Sequence, residues 1–100
     1  MLFLVISTPR PERPSEVREY RQQYWTWLDP LLKNGQVRIC YPRAGRGAVA
    51  ILDVDSNETL HRVLNEWADI IPTHFDVYPL LETSAAQAYL AQTGGQAGGA

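Results

Sequence analysis

The sequence predicts one α+β domain in which two helices cover one face of an antiparallel sheet. Its length of 100 residues is that of a single domain. Short apolar runs rich in β-branched residues alternate with segments whose apolar residues recur at helical spacing. They follow the order strand, helix, strand, strand, helix, strand, which is the split βαβ, or ferredoxin-like, arrangement.

The first strand and the first helix are indicated by apolar spacing and by chain breakers. Residues 2–8 form an apolar run with β-branched side chains, which predicts a strand. After a proline-rich segment, apolar residues follow helical spacing from Val17 to Leu31. Pro30 either kinks this helix or takes the first position of a new turn. Gly35 suits the left-handed conformation that ends a helix.

Two strands follow in the middle of the chain. The segment QVRICY alternates, which predicts that Val37, Ile39 and Tyr41 share one face of the sheet and that Arg38 and Cys40 share the other. The segment AVAILDV is apolar on both faces, so this strand is predicted to be buried on both sides.

A helix and a strand complete the pattern. The helix is capped by Asp55 or Ser56, has the 0, 3, 4, 7 spacing of an amphipathic helix from Leu60 to Trp67, and is ended by the segment IIP at 70–72. The segment THFDVYPLL then alternates as a fourth strand, with His74 and Asp76 on the same face.

The sheet has more apolar surface than two helices can cover, because the strands at 2–8 and 48–54 are apolar on both sides. An exposed apolar face calls for a partner, and we expect a homodimer or higher homo-oligomer packed sheet to sheet. The packed domain is predicted to span residues 1–83. Residues 84–92 are predicted to form a helical extension, and the Gly-rich segment 93–100 a disordered tail.

Composition excludes several classes of function. Nine basic and eleven acidic residues give a net charge of −2, without the basic patch of a nucleic-acid binder. Cys40 is the single cysteine, so no internal disulfide or thiol metal site can form. The apolar start lacks a positively charged leader, and no run approaches the roughly 20 apolar residues that span a bilayer. We therefore expect a soluble, cytoplasmic protein without a membrane partner.

Several short motifs are distributed over both halves of the chain. The chain opens on MLF, carries an AG turn at 44–45, and closes on V-x-P-L at 77–80. Between them, residues 53–64 match the pattern DV-x-S-x-E-x-L-H-x-x-L. Pro72 and the helix-closing Gly35 also match. Together these motifs resemble those of the muconolactone isomerase family, and the resemblance covers roughly the first 82 residues.

This resemblance implies a dimeric α+β barrel. It also implies an enzyme that shifts a proton within a lactone in aromatic compound catabolism, without a metal or other cofactor. The chain departs from the family where Leu4 replaces a histidine of the first strand. It also departs where Tyr24, Trp25 and Thr26 replace a helix rich in Glu and Lys.

Three residues are candidate catalytic groups for proton transfer. His74 and Asp76 share one strand face about 7 Å apart, so the carboxylate can orient or charge the imidazole. The alternative is that both lie at a sheet edge or a subunit contact. His61 matches a position of the family, and its alternative is a structural hydrogen bond near the start of its helix.

The candidate ligand-binding residues are mostly aromatic. The rings of Tyr20 and Tyr24 lie on the apolar stripe of the first helix and are predicted to be core, whereas Trp25 points away from that stripe. We expect the flank of the stripe to line a cavity. An arginine of the central hairpin (Arg38, Arg43 or Arg46) would hold a carboxylate. The predicted ligand-binding set is Tyr24, Trp25, Trp27, Arg38, Tyr41 and Trp67.

Two functions are consistent with these residues. The first is a small, cofactor-free, isomerase-like catabolic enzyme that acts on an aromatic-derived acid or lactone. The second is a non-catalytic binding or accessory protein on the same scaffold. A carboxylate or imidazole inside the cavity favours the enzyme, whereas a cavity of aromatic and arginine side chains favours the binding protein.

Overall fold

The computed structural model describes the backbone of residues 1–99 and the side chains of residues 1–92. The segment predicted to be a disordered tail, residues 93–100, lies outside the residues described with side chains. The elements are β1 (Leu2–Pro9), α1 (Arg18–Asn34), β2 (Val37–Pro42), β3 (Ala48–Asp53), α2 (Asn57–Ile70), β4 (Thr73–Leu80) and α3 (Thr83–Gly99). The strands form one antiparallel sheet in the order β2-β3-β1-β4, which confirms the predicted ferredoxin-like α+β fold.

Helix α1 continues through Pro30 to Asn34 as one helix. Gly35 follows with φ 84°, so the predicted left-handed end of the helix is present. Tyr24 and Leu28, one turn apart, are the buried residues of the helix and fix its orientation on the sheet.

Helix α2 begins at a side-chain cap. The Ser56 hydroxyl accepts a hydrogen bond from the Thr59 backbone amide at 3.1 Å, so Ser56 and not Asp55 is the cap. Asp55 accepts a hydrogen bond from the Thr59 hydroxyl, and this bond lowers the pKa of the Asp55 carboxyl. The buried residues of α2 are Leu60, Val63 and Trp67, as the apolar spacing predicts.

A bulge in β2 changes which residues face the helices. Val37 pairs with Leu52 and Ile39 pairs with Ile51, so β2 advances two residues while β3 advances one. Val37 is therefore buried beneath the helices, and Ile39 faces the other side. The predicted strict alternation, with these two residues on one face, is wrong because the extra residue reverses the pattern.

The core lies between the sheet and the two helices α1 and α2. Its main members are Phe3, Val5, Tyr24, Leu28, Val37, Ala50, Leu52, Val63 and Trp67. The opposite face of the sheet has no helix over it within the described residues. It presents Leu2, Leu4, Ile6, Ile39, Tyr41, Val49, Ile51 and Tyr78. This apolar surface is called the open face below.

Within residues 1–99, no helix combines the length and the apolar character needed to cross a bilayer.

Candidate small-molecule binding site

A cavity opens at the end of the sheet where β1 and β2 finish and where β3 and β4 begin. It is covered by α1 on one side and by Trp67 of α2 on the other. Its volume is about 70 Å³, within a wider cleft of about 560 Å³ that includes open solvent. Its described lining is Ser7, Pro9, Arg21, Tyr24, Trp25, Pro42, Arg46, Gly47, Ala48, Trp67, Ile71 and Thr73. It is called the first cavity below.

Aromatic rings form the helical wall of the first cavity. The Tyr24 ring packs against Trp67 with centroids 5.1 Å apart and against the edge of Trp25 at 5.4 Å. Trp25 is 48% exposed, so its ring lies at the mouth of the cavity and not in the core. A planar ligand can therefore contact an indole without displacing a core side chain.

Trp27 lies behind this wall. Its ring packs on Tyr24 and Trp67 at centroid distances of 5.8 and 6.1 Å. Its indole Nε1 donates a hydrogen bond to Glu66 at 3.0 Å, and this bond lowers the pKa of the Glu66 carboxyl. Trp27 thus supports the aromatic wall from outside the cavity.

Tyr24 and Cys40 form a neutral pair beside the cavity. The phenol oxygen lies 3.3 Å from the Cys40 sulfur. Burial, together with this contact, raises the pKa of the Tyr24 phenol far above its usual range, and burial also raises the pKa of the Cys40 thiol. Both groups are protonated at neutral pH, so neither is an ionised base there.

The charge of the first cavity is positive. Among its described lining residues Arg21 and Arg46 are cationic, and none is acidic or a histidine. Arg46 is held in place because its Nη1 donates a hydrogen bond to the Glu12 carbonyl oxygen at 2.6 Å. Two guanidinium groups beside aromatic rings favour a planar anion.

The hairpin that carries Arg46 is fixed tightly to the end of β1. Gly47 has φ 94°, and a Cβ atom at this position would stand 2.0 Å from the Ser7 carbonyl oxygen, so only glycine fits. The buried Ser7 hydroxyl accepts a hydrogen bond from the Ala48 amide at 2.8 Å. Arg43 donates to the Ser7 carbonyl at 3.2 Å from the same hairpin. These contacts hold the Arg46 backbone at the cavity edge.

The predicted catalytic residues lie away from the first cavity. His74 and Asp76 do meet, with Nε2 and Oδ1 3.3 Å apart, but both are exposed on the open-face side of β4. His61 is exposed on α2, where its carbonyl accepts a hydrogen bond from Asn65 at 2.8 Å. The structure brings none of the three to the cavity.

The structure places the predicted ligand-binding residues in different parts of the fold. Tyr24, Trp25 and Trp67 line the first cavity. Arg38 lies at the opposite end of the sheet, where its Nη2 is 2.6 Å from an Asp53 carboxylate oxygen. This ion pair lowers the pKa of the Asp53 carboxyl. Tyr41 lies on the open face.

Two cationic residues complete the lining. Arg46 was one of three hairpin arginines considered as the carboxylate partner, but the predicted set named Arg38; of the three, the described lining of the cavity contains Arg46 alone. Arg21 was missed. Its signal is its position four residues before Trp25, because residues at this spacing share one side of a helix.

A second cavity adjoins the first. It holds about 570 Å³, including space open to solvent, and it shares Pro9, Arg46 and Ile71 with the first cavity. Tyr20 lines it and is 49% exposed, so the prediction that its ring belongs to the core is wrong. The remaining described lining is Arg10, Glu12, Val17, Asp69, Ile70 and Pro72.

In the described part of the chain, no three His, Cys, Asp or Glu side chains cluster as a metal site requires.

Comparison with known proteins gives one family and two related folds. The family described as a domain of unknown function, DUF3303, matches residues 1–94. Among solved structures, the 5-chloro-2-hydroxyhydroquinone dehydrochlorinase TftG of Burkholderia phenoliruptrix, in complex with 2,5-dihydroxybenzoquinone, has a TM-score of 0.67 at 17% identity. That match covers 85% of this chain and 98% of TftG.

A muconolactone isomerase has a TM-score of 0.65 at 24% identity, with 82% of this chain and 90% of the other covered. No curated protein matches the chain in sequence. At these identities the likeness shows a shared fold, which supports the resemblance to the muconolactone isomerase family at the level of fold.

Proposed function

The chain belongs to the family of domain of unknown function DUF3303, and we propose that it binds a planar, aromatic-derived acid or lactone in the first cavity. The observation that carries this proposal is the lining itself. Aromatic rings form one wall, Arg21 and Arg46 supply positive charge, and no described lining residue is acidic.

Physical chemistry favours an anionic ring compound at this place. An indole face and edge pack well on a flat ring, and a guanidinium group pairs with a carboxylate through two parallel hydrogen bonds. An anion also compensates the positive charge that Arg21 and Arg46 bring to the cavity. TftG, which shares this fold, is described in complex with a planar dihydroxybenzoquinone. That ligand supports a ring-sized occupant here.

Binding without catalysis is favoured by the groups that are present. Moving a proton on carbon requires a base close to the substrate. No described residue that lines the cavity is a carboxylate or an imidazole, and burial raises the pKa of the nearby Tyr24 phenol. We therefore favour the binding or accessory protein.

A cofactor-free, isomerase-like catabolic enzyme is the second candidate. The observation in its favour is that TftG and the muconolactone isomerase, two solved structures with this fold, are named as enzymes of small ring compounds. The predicted catalytic residues His61, His74 and Asp76 lie outside the cavity, so such an enzyme would need a base delivered by another route. A second subunit is one such route.

The proposal includes a homodimer formed through the open face. Ile39, Tyr41 and Tyr78 are exposed there, and the leucine and isoleucine side chains between them are only partly covered. A contiguous apolar surface of this kind is characteristic of an interaction site. A second copy supplies a surface of matching shape and polarity through two-fold symmetry.

The test is a comparison of an acid with its neutral amide. Benzoate and benzamide are titrated against the full chain while tryptophan fluorescence is recorded. We expect saturable quenching by benzoate at micromolar to millimolar concentration, or roughly 4 to 8 kcal/mol of binding free energy, and much weaker quenching by benzamide. Equal quenching by both, or none by either, would refute the anion site. Exchange of a substrate C–H proton for deuterium in a bound lactone would instead favour the enzyme.

A further inference from the structure

The second cavity lies directly beside the proposed acid site. Pro9, Arg46 and Ile71 line both cavities, so the two meet along the side chain of Arg46. The volume of the first is about 70 Å³ and that of the second about 200 Å³, so the second is the roomier of the two.

The two cavities differ in charge. The described lining of the first carries two arginines and no acid. The described lining of the second carries Arg10 and Arg46 against Glu12 and Asp69, so its formal charge is balanced. Arg10 and Glu12 also pair with each other. An anion is therefore attracted to the first cavity, and the second offers it no net attraction.

The surface of the second cavity is suited to an uncharged, apolar group. Val17, Ile70, Ile71 and Pro72 supply aliphatic surface, and the half-exposed Tyr20 ring supplies an aromatic side. Burial of a hydrocarbon group against such a surface is favourable roughly in proportion to the area removed from water.

Arg46 stands at the junction and is oriented by the segment before α1. Its Nη1 donates to the Glu12 carbonyl oxygen at 2.6 Å. A guanidinium group has five N–H donors, so this bond fixes the side chain and leaves further donors to meet an anion at the boundary. The acid group of a ligand bound at Arg46 has the aromatic wall of the first cavity on one side and the apolar lining of the second cavity on the other.

We infer that the two cavities are subsites of one binding site, and that its ligand is an aromatic acid bearing an apolar substituent, such as an alkyl chain. The inference rests on the proposed function, since it assigns the ring and acid group to the first cavity. It adds that the substituent lies in the second cavity, against Tyr20 and Ile70.

Calorimetric titration of the full chain with benzoate, 2-methylbenzoate, 2-propylbenzoate and 2-butylbenzoate tests this inference, because an ortho substituent lies beside the acid group and can reach across the Arg46 boundary. Each buried methylene should lower Kd by about fourfold until the chain fills the second cavity. Tyr20→Ala should remove most of this gain and leave benzoate binding unchanged, because Tyr20 lines the second cavity and not the first. Leu32→Ala is the matched control, since Leu32 is an exposed apolar residue of the same helix and lines neither cavity.

Ile70→Trp provides a second, independent variant. The larger ring narrows the second cavity from α2 and should weaken 2-butylbenzoate more than benzoate. Circular dichroism of each variant reports whether it folds. Intermolecular nuclear Overhauser contacts from the butyl protons to Pro72 or Ile70 would place the chain directly.

The outcomes separate the two proposals. A chain-length gain that is lost in Tyr20→Ala or Ile70→Trp and kept in Leu32→Ala supports the bipartite site. Benzoate binding with no chain-length gain, or with a gain that both variants retain, overturns the bipartite site and leaves the acid site standing. Absence of binding by every benzoate overturns both.

Discussion

Tyr24 and Trp25 are neighbours on α1 with ring centroids 5.4 Å apart, yet one is 5% exposed and the other 48%. The Tyr24 ring is enclosed by the sheet and Trp67, whereas the Trp25 ring borders solvent at the cavity mouth. One turn of helix thus contains a residue of the core and a residue of the candidate site. Substitutions can separate their two contributions.

Alanine at these two positions should give opposite results. Tyr24→Ala should lower the free energy of unfolding by roughly 3 to 5 kcal/mol, as for other buried aromatic truncations. Trp25→Ala should cost little stability but should weaken benzoate binding, because its ring contacts the ligand. Urea denaturation and calorimetric titration measure the two effects. If Trp25→Ala unfolds the chain, the Trp25 ring belongs to the core, and its assignment to the wall of the first cavity is wrong.

Loss of either cavity arginine should weaken acid binding. Arg21→Gln and Arg46→Gln should each raise the Kd of benzoate by roughly tenfold or more, since a hydrogen bond to a charged group contributes about 1.5 to 3 kcal/mol. Arg62→Gln is the control, because Arg62 pairs with Glu66 on α2 and lines neither cavity. Binding of neutral benzamide should be unaffected in all three. An unchanged benzoate Kd in both Arg21→Gln and Arg46→Gln would contradict the proposal that these arginines bind the carboxylate.

A charge in the middle of the open face should dissociate the proposed dimer. Leu4 pairs with Ile51 on one side and Tyr78 on the other, so Leu4→Glu places a carboxylate at the centre of the apolar surface. Light scattering at micromolar concentration should give twice the 11.3 kDa chain mass for the unchanged protein and one chain mass for Leu4→Glu. Leu32→Glu, on the exposed side of α1, should remain dimeric. A monomeric unchanged protein would contradict the dimer.

Two glycines of the same hairpin should respond differently to alanine. Gly47→Ala should be strongly destabilising, because φ is 94° and the new Cβ would stand 2.0 Å from the Ser7 carbonyl oxygen. Backbone strain of this kind costs about 1–3 kcal/mol before the steric clash is added. Gly45→Ala is matched in sequence and meets no atom within 4 Å. Thermal melts of both variants should show a large loss for the first only, and equal melts would mean that the hairpin is not held against β1.

The raised pKa of the buried Tyr24 phenol predicts that the folded chain loses stability at alkaline pH. Burial raises its pKa in the folded chain above the ordinary value of 10.0. A raised folded pKa contributes stability that is complete below the unfolded pKa and is lost as pH rises above it. The free energy of unfolding should therefore fall above about pH 10. Tyr24→Phe should show a shallower fall over the same range in urea titrations, and an identical slope would show that another group is responsible.

The sequence predicted the order of elements because each rests on local spacing, as in the apolar residues of α2 and the Gly35 end of α1. The prediction failed where one extra residue changes how a strand pairs with its neighbour in the sheet. The extra residue at Arg38 reverses the faces of β2, and the alternation of side chains gives no sign of it. The exposure of Tyr20 was also missed. A helical stripe shows which side is apolar but not where the sheet beneath it ends.

The candidate site was predicted in part for the same reason. Trp25 and Trp67 were found because aromatic residues are rare and their helical positions can be computed. Arg21 was not singled out, since a charged residue on a helix is ordinarily solvated. The cavity itself depends on the docking of Gly47 on β1, a contact between residues 40 positions apart in the chain. Spacing along the sequence does not encode that contact.

The strand order has a consequence for the synthesis of the chain. Strand β1 is made first but lies in the interior of the sheet, and its two neighbours, β3 and β4, begin at Ala48 and Thr73. Only the β2–β3 hairpin joins strands that are adjacent in sequence. On the ribosome the apolar β1 must remain unpaired until β3 emerges, and it gains its second neighbour only after β4 has been translated. Pairing over such separations is slow, so β1 is exposed to aggregation until β3 and β4 are available to pair with it.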